Sequence, residues 1–397
     1  MKSDSRFRSW ILIAVVLLLF GTAVASSQYK VPVIMTQITQ QFGMTDSSAS
    51  WLMSIFTFVG IILAIPTGAL AKKFGPKILL IAASAILLVG SIIGIAATDG
   101  TMLIVSRGVE GVAFILVTIC GPLAVQKYVA PEKIGSATGI WALWVCLGSV
   151  VGGVVTPTVS ATLGFVGVWM VYAVFAAIFA VLVAVVVKFN DGAPDSPVQA
   201  SSEQVEPKVS YAELFKPNTL LYFAGFLLFN MVLLAMLSFS PTWMQIQGID
   251  PTLSGFLSTL PMLLAVISSP LFGSLSDKLG RCKPLYIIAL LSMGPCAFLL
   301  LTGTGMQLWI GAVIMGLVGM GVPVICLTAY PKVLGKPELM SIGMGFLMLI
   351  QSLGQFLGTF VSPMLLGSSG DQWMTLGIVM CVLGLVGTAC IALCKFK

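Results

Sequence analysis

The chain has 397 residues, 58% of them hydrophobic and 9% charged, with a net charge of +6 and no histidine. A soluble globular domain carries about 25% charged residues, so a soluble fold is excluded, and the missing histidine excludes histidine-based catalysis and histidine metal ligation. The eight cysteines lie mostly inside apolar runs without metal-ligand spacing and read as small apolar fillers.

A bilayer core takes about 20 apolar residues per helical span, and the apolar runs here are continuous and at least that long. Transmembrane barrels instead alternate over segments of about ten residues. Twelve helical spans are predicted. The first, 10–36, follows Lys2, Arg6 and Arg8 and carries Tyr29 and Lys30 in "QYKVPVI". The second, 48–71, is followed by Lys72, Lys73 and Lys77; the third is 76–97. The fourth, 101–125, contains Arg107 and Glu110 and is followed by Lys127 and Lys133. Spans five and six are 135–158, with Trp144, and 165–188. Residues 189–218 are rich in Asp, Glu, Ser and Pro and read as a cytoplasmic linker. Spans seven to twelve are 219–246, with Asn230, then 252–275, 284–304, 307–330, 338–365, with Gln351 and Gln355, and 372–394. Lys278, Arg281 and Lys283, then Lys332 and Lys336, then Lys395 and Lys397 follow spans eight, ten and twelve, whereas the alternate loops carry only Asp46, Asp99, Asp250 and Asp371. The positive-inside rule then puts both termini in the cytoplasm.

The basic start, an apolar run and "AVA" at 23–25 also fit a cleavable signal peptide. An internal repeat argues against that, because the second half has a matching first helix. "PEKIGSATGIWALWVCLGSVVGGVVTP" at 131–157 aligns at one constant offset with "PELMSIGMGFLMLIQSLGQFLGTFVSP" at 337–363, so that Gly148, Gly152 and Pro157 meet Gly354, Gly358 and Pro363. The expectation is an all-α membrane protein of two pseudo-symmetric six-helix bundles, 1–188 and 219–397, with the linker 189–218 between them. Paired halves of this kind hold a substrate site near the midplane in transporters. The repeated glycines are expected to mark close helix contacts.

"GSLSDKLGR" at 273–281 is a full copy, and "GALAKKFGPK" at 68–77 an imperfect one, of the loop signature of the major facilitator superfamily; "RGVEG" at 107–111 matches a second family signature. The whole chain resembles that superfamily. "QYKVP", "SRGVEGVAF" and "GIWALWVCLGSVVG" look similar to its cyanate permease and nitrate/nitrite permease-like group. The resemblance implies a gate built from Gly68, Lys72, Gly75, Gly273, Asp277, Gly280 and Arg281, in which Lys72 departs from the family aspartate. It also implies that helices 1, 4, 7 and 10 surround a central cavity. The helix-5 signature of proton-coupled drug antiporters is incomplete in "GSVVGGVVTP".

Lys30, Arg107 and Glu110 are the ionisable residues well inside the spans. Each costs about 2.5–3.5 kcal/mol at a helix centre, so each is a functional hypothesis by default. Lys30 shares its helix face with Ser27, Ser26 and Thr22, and Arg107 with Glu110, Gly111, Phe114 and Thr118. Such stripes are expected to line a water-filled passage. Their plainer readings are a snorkelling Lys30 and a structural Arg107–Glu110 pair. Two cations and one carboxylate make a positive site, and the planar fork of Arg107 suits carboxylate, nitrate or similar oxyanions. An anion that draws Arg107 away leaves Glu110 free to take a proton, which is the physical content of anion/proton symport.

The expected substrate-binding residues are Lys30, Arg107, Tyr29, Trp144, Asn230, Gln351 and Gln355, with Glu110 for proton coupling. The expected function is alternating-access transport of a small organic or inorganic anion across the inner membrane, coupled to protons or to a counter-anion. The rivals are an exporter of lipophilic compounds and a non-transporting receptor. A monomer is expected, with no nucleic acid, no cofactor and no metal. No nucleotide-binding loop or enzyme constellation is present in the sequence.

Overall fold

A computed structural model describes residues 4–186, 214–279, 281–334, 340–367 and 370–396. The described elements are helical throughout: α1 (Asp4–Val33), α2 (Met35–Phe42), α3 (Asp46–Phe74), α4 (Pro76–Ile95), α5 (Gly100–Tyr128), α6 (Ile134–Trp141) and α7 (Trp144–Val186), then α8 (Pro217–Ile246), α9 (Pro251–Leu279), α10 (Cys282–Thr302), α11 (Met306–Leu317), α12 (Val322–Leu334), α13 (Met340–Leu366) and α14 (Trp373–Leu393). Short 3-10 turns precede α6 and α12. Of the predicted linker only 214–218 falls among the described residues.

The breaks between helices have local causes. Gly75, at φ 76°, ends α3, and Pro76 at the first position of α4 has no N–H to leave unsatisfied. Asp99 caps α5 by accepting from the Met102 amide at 2.9 Å. Asp250 caps α9 by accepting from the Thr252 and Leu253 amides. These two loop acids therefore serve the helix starts as well as the charge pattern. The 43 residues of α7 would reach about 65 Å at 1.5 Å per residue, and the helix is broken at Gly164, where φ is 67° and ψ −170°.

Ten helices among the described residues are long and apolar enough to cross a membrane. The difference from the predicted twelve lies in two places. One continuous stretch, Ser136–Val183, covers predicted spans five and six, and the apolar part of α3 is the shorter segment Ser48–Ala64.

The chain divides into two compact units, residues 1–31 with 59–207 and residues 32–58 with 208–397. In the first unit α4 packs on α5 and α7, and α1, α4 and α5 share a core that includes Leu17, Phe20, Val24, Leu80, Leu87, Leu116 and Val117. A Cβ at Gly148 would meet the Ser26 amide and the Thr22 carbonyl at 2.9 Å, and one at Gly152 would meet the Tyr29 Cβ at 2.8 Å, so α7 lies almost backbone to backbone on α1. The second unit repeats the device: a Cβ at Gly354 would meet Asn230 Cβ at 2.9 Å, and one at Gly358 would meet the Ala235 amide at 3.2 Å, on α8. The aligned glycines mark close helix contacts in each unit, as expected. Also within the second unit, α3 meets α13: the Ser54 hydroxyl donates to Thr359 Oγ1 at 3.0 Å, between the ring pairs Trp51–Phe360 and Phe58–Phe356.

Candidate functional site

The site grows from a proline. Pro32 has no N–H, so the carbonyl four residues back, that of Gln28, loses its helical donor. Arg107, reaching across from α5, donates to that carbonyl at 3.4 Å and to the Ser27 carbonyl at 2.7 Å. The same guanidinium pairs with Glu110 Oε2 at 2.5 Å, one helical turn along α5. Lys30 pairs with the other oxygen, Oε1, at 2.6 Å. Two hydroxyls complete the carboxylate's shell: Ser27 donates to Oε2 at 3.0 Å, and Ser91 of α4 donates to Oε1 at 3.4 Å. Each carboxylate oxygen thus faces one cation and one hydroxyl.

The walls are equally specific. α7 lays two aromatic faces on Lys30, whose ammonium is 4.2 Å from the Trp169 ring centre and 4.9 Å from that of Tyr172. Trp169 is oriented by donating its indole N–H to Ser106 Oγ at 3.3 Å, and Ser106 donates on to the Gly90 carbonyl at 2.8 Å. Tyr172 shares a 2.8 Å hydrogen bond with Thr156. α4 comes this close because Gly90 and Gly94 lack side chains: a Cβ at Gly90 would meet Glu110 Cγ at 2.8 Å, and one at Gly94 would overlap the Trp169 indole.

Lys30, Arg107 and Glu110 are each 0% exposed. This corrects two expectations about their surroundings. Lys30 does not snorkel, because its ammonium is committed to Glu110 and two rings. Ser26, Ser27 and Lys30 of α1 and Arg107 and Glu110 of α5 are enclosed inside the first unit in this structure, rather than facing a water-filled passage, while Thr22, Phe114 and Thr118 of the same stripes are half-buried. The expected Arg107–Glu110 pair is present; Lys30 joins it as a third member.

The sequence profile of the Major Facilitator Superfamily matches residues 11–359 and 243–397. The chain belongs to the Major Facilitator Superfamily. It is thus a multi-pass membrane protein of that family. Two proteins named "Probable nitrate transporter NarT", from Staphylococcus haemolyticus (strain JCSC1435) and Staphylococcus aureus (strain MRSA252), are 28% identical over 262 residues and 26% over 258. Each alignment spans 64% of this chain, and 64% and 63% of the respective relative, so the chain covers under two thirds of those proteins. In fold, this facilitator is similar to a bacterial homolog of the human lysosomal transporter Spinster in an inward-facing, occupied conformation, with a TM-score of 0.76 and 15% identity over 98% of this chain and 96% of that one. It is also similar to the nucleoside transporter NupG, with a TM-score of 0.73 and 14% identity over 98% and 100%.

The other expected site residues of this facilitator are spread wider. Tyr29 turns to α7, its Cβ against Gly152. Trp144 stacks on Trp141 at 5.2 Å and leans on Phe114, as part of the apolar core. In the second unit, the Asn230 amide donates to the Phe226 carbonyl of its own helix at 2.8 Å, while Gln351 and Gln355 on α13 are half-buried. Among the expected gate residues, Gly75 forms the α3–α4 turn, Gly68 has open space around it, Gly273 sits beside Val324, and Arg281 is exposed at the start of α10. Gly280 and the side chains of Lys72 and Asp277 lie outside the described residues.

Sequence reasoning missed Ser91, Trp169, Tyr172 and the part played by Pro32. Two signals were present: the small residues Gly90, Ser91 and Gly94 on one face of α4, and Trp169 and Tyr172, three apart, as the aromatics with a polar atom in a stretch otherwise built of aliphatic residues and phenylalanines.

Proposed function

We propose that this facilitator carries a small monoanion, such as nitrate, cyanate or a short carboxylate, by alternating access between two six-helix bundles of the inner membrane. Twelve spans, with both termini cytoplasmic, are the arrangement that suits the loop charges and the break of α7 at Gly164. The observation that carries the proposal is the triad's charge. Lys30, Arg107 and Glu110 sum to +1 with every member at 0% exposure. Removing an ion from water costs several kcal/mol even after relaxation, and one partner of opposite sign offsets this only with good geometry. A purely structural pair needs no second cation, so the extra charge is the part a monoanion would satisfy. The two relatives named as nitrate transporters support the same substrate class.

Glu110 supplies the preferred coupling. When the incoming anion competes for Lys30 and Arg107, the carboxylate is left beside fewer cations and takes a proton, so cargo and proton bind together. If the anion instead adds to an intact triad, no proton is needed, and exchange of one anion for another follows.

The test is uptake of nitrate, cyanate and formate into proteoliposomes under imposed pH and voltage gradients. Arg107→Ala removes a charge-assisted donor worth about 1.5–3 kcal/mol and should weaken apparent affinity about 10- to 100-fold. Uptake indifferent to Arg107→Ala would remove the anion site. Glu110→Gln should abolish the response to a pH gradient while sparing counterflow; a response that persists would remove the proton coupling.

A further inference from the structure

Each cation of the triad has a second hold that does not involve Glu110. Lys30 rests against the faces of Trp169 and Tyr172, where a desolvated ammonium is attracted by the ring quadrupole. Arg107 is tied to α1 through the Ser27 and Gln28 carbonyls, the second of them released by Pro32. The carboxylate is held differently. Its two oxygens accept from four donors: the Lys30 ammonium, the Arg107 guanidinium, and the Ser27 and Ser91 hydroxyls. Such donors accept any group that offers two coplanar oxygens in the same place.

We propose that the Glu110 carboxylate is the internal occupant of an anion seat, and that Trp169, Tyr172 and the Pro32 break keep Lys30 and Arg107 in position when a planar oxyanion takes that seat. This rests on the small-anion reading above and narrows it to monoanions with two or more oxygens in one plane. A tetrahedral dianion such as sulfate would bring two further oxygens out of that plane. In a seat pressed by the Gly90 backbone and closed from solvent, with Lys30, Arg107 and Ser27 all fully buried, those oxygens would be desolvated without donors. Trp169 and Tyr172 are positioning residues, since they touch Lys30 and not the seat's oxygens.

The experiment is anion rescue of the emptied seat, read as the melting temperature of the full-length protein in detergent. Glu110→Ala should melt below wild type, and formate or nitrate should raise its melting temperature saturably, because a ligand of the native state alone stabilises it by mass action. Sulfate and chloride at matched ionic strength should not. Trp169→Leu in the Glu110→Ala background should raise the formate concentration for half-maximal rescue about tenfold or more, as loss of a desolvated cation–π contact implies. Trp169→Phe, which keeps a ring face, should raise it less. Formate acting no better than chloride, or rescue indifferent to Trp169→Leu, overturns the proposal. If Glu110→Ala does not fold, the tryptophan emission of wild type titrated with formate decides, with Trp169→Phe as the blank. A saturable Trp169 signal is expected, and its absence overturns the seat. The two readings fail separately. Rescue by formate with no anion uptake by wild type removes transport and leaves the seat; nitrate uptake by wild type with no rescue removes the seat and leaves transport.

Discussion

At the scale of single residues, the strongest dependence falls on Glu110. Taking away the one carboxylate leaves two buried cations facing each other, and breaking a buried pair in this way costs about 3–5 kcal/mol. Glu110→Ala should therefore lower unfolding free energy in detergent by that order, while Ser91→Ala, which removes a single 3.4 Å hydrogen bond, should cost about 1 kcal/mol or less. Equal losses in denaturant melts would show that the carboxylate is not the centre of the network. Arg107→Lys is not conservative at this position. An ammonium cannot span the Glu110 carboxylate and the two α1 carbonyls as a planar fork does, so uptake should fall nearly as far as in Arg107→Ala.

At the scale of elements, the site depends on how closely α4, α5 and α7 approach α1. Gly152 on α7 has no room for a side chain, whereas a Cβ at Gly139 on α6 meets nothing within 4 Å. Gly152→Leu should destabilise by about 1–3 kcal/mol through overpacking, and Gly139→Ala should stabilise slightly, by about 0.5–1 kcal/mol, as glycine leaves a helix interior. The same melts check both, and the opposite ranking would refute the close packing. Pro32→Ala restores an N–H for the Gln28 carbonyl and takes that acceptor from Arg107. The expected outcome is a protein at least as stable as wild type whose apparent affinity for the anion is weaker, read as a raised KM with little change in maximal rate.

At the scale of the whole molecule, the loop charges predict sidedness. Thr98→Cys, in an acidic loop, should react with an impermeant maleimide in intact cells, and Lys278→Cys, in the basic last turn of α9, only after permeabilisation. The contact of α3 with α13 offers a test of movement. The Ser54 and Thr359 hydroxyls are 3.0 Å apart, close enough for a disulfide to form with little adjustment. Ser54→Cys with Thr359→Cys should cross-link under oxidant and stop uptake, and a reductant should restore it; uptake unaffected by the cross-link would mean that these two helices stay together throughout the cycle.

The sequence by itself determined what is local or demanded by the bilayer. Long apolar runs had to become helices, because in lipid each backbone polar group must find its partner within its own segment or a closed barrel. Asp99 and Gly75 had to punctuate them, and the aligned pairs Gly148–Gly152 and Gly354–Gly358 announced where backbones meet. The expense of Lys30, Arg107 and Glu110 in hydrocarbon likewise singled them out. Their partnership was another matter. Lys30 and Glu110 are 80 positions apart, and no periodicity along α1 or α5 says that one carboxylate is shared by both cations. Nor does any local pattern say that Trp169 covers the ammonium or that Ser91 reaches the carboxylate from α4. Those contacts, and the dryness that replaces the expected water, follow from four helices packed around glycines, and only the tertiary structure decided them.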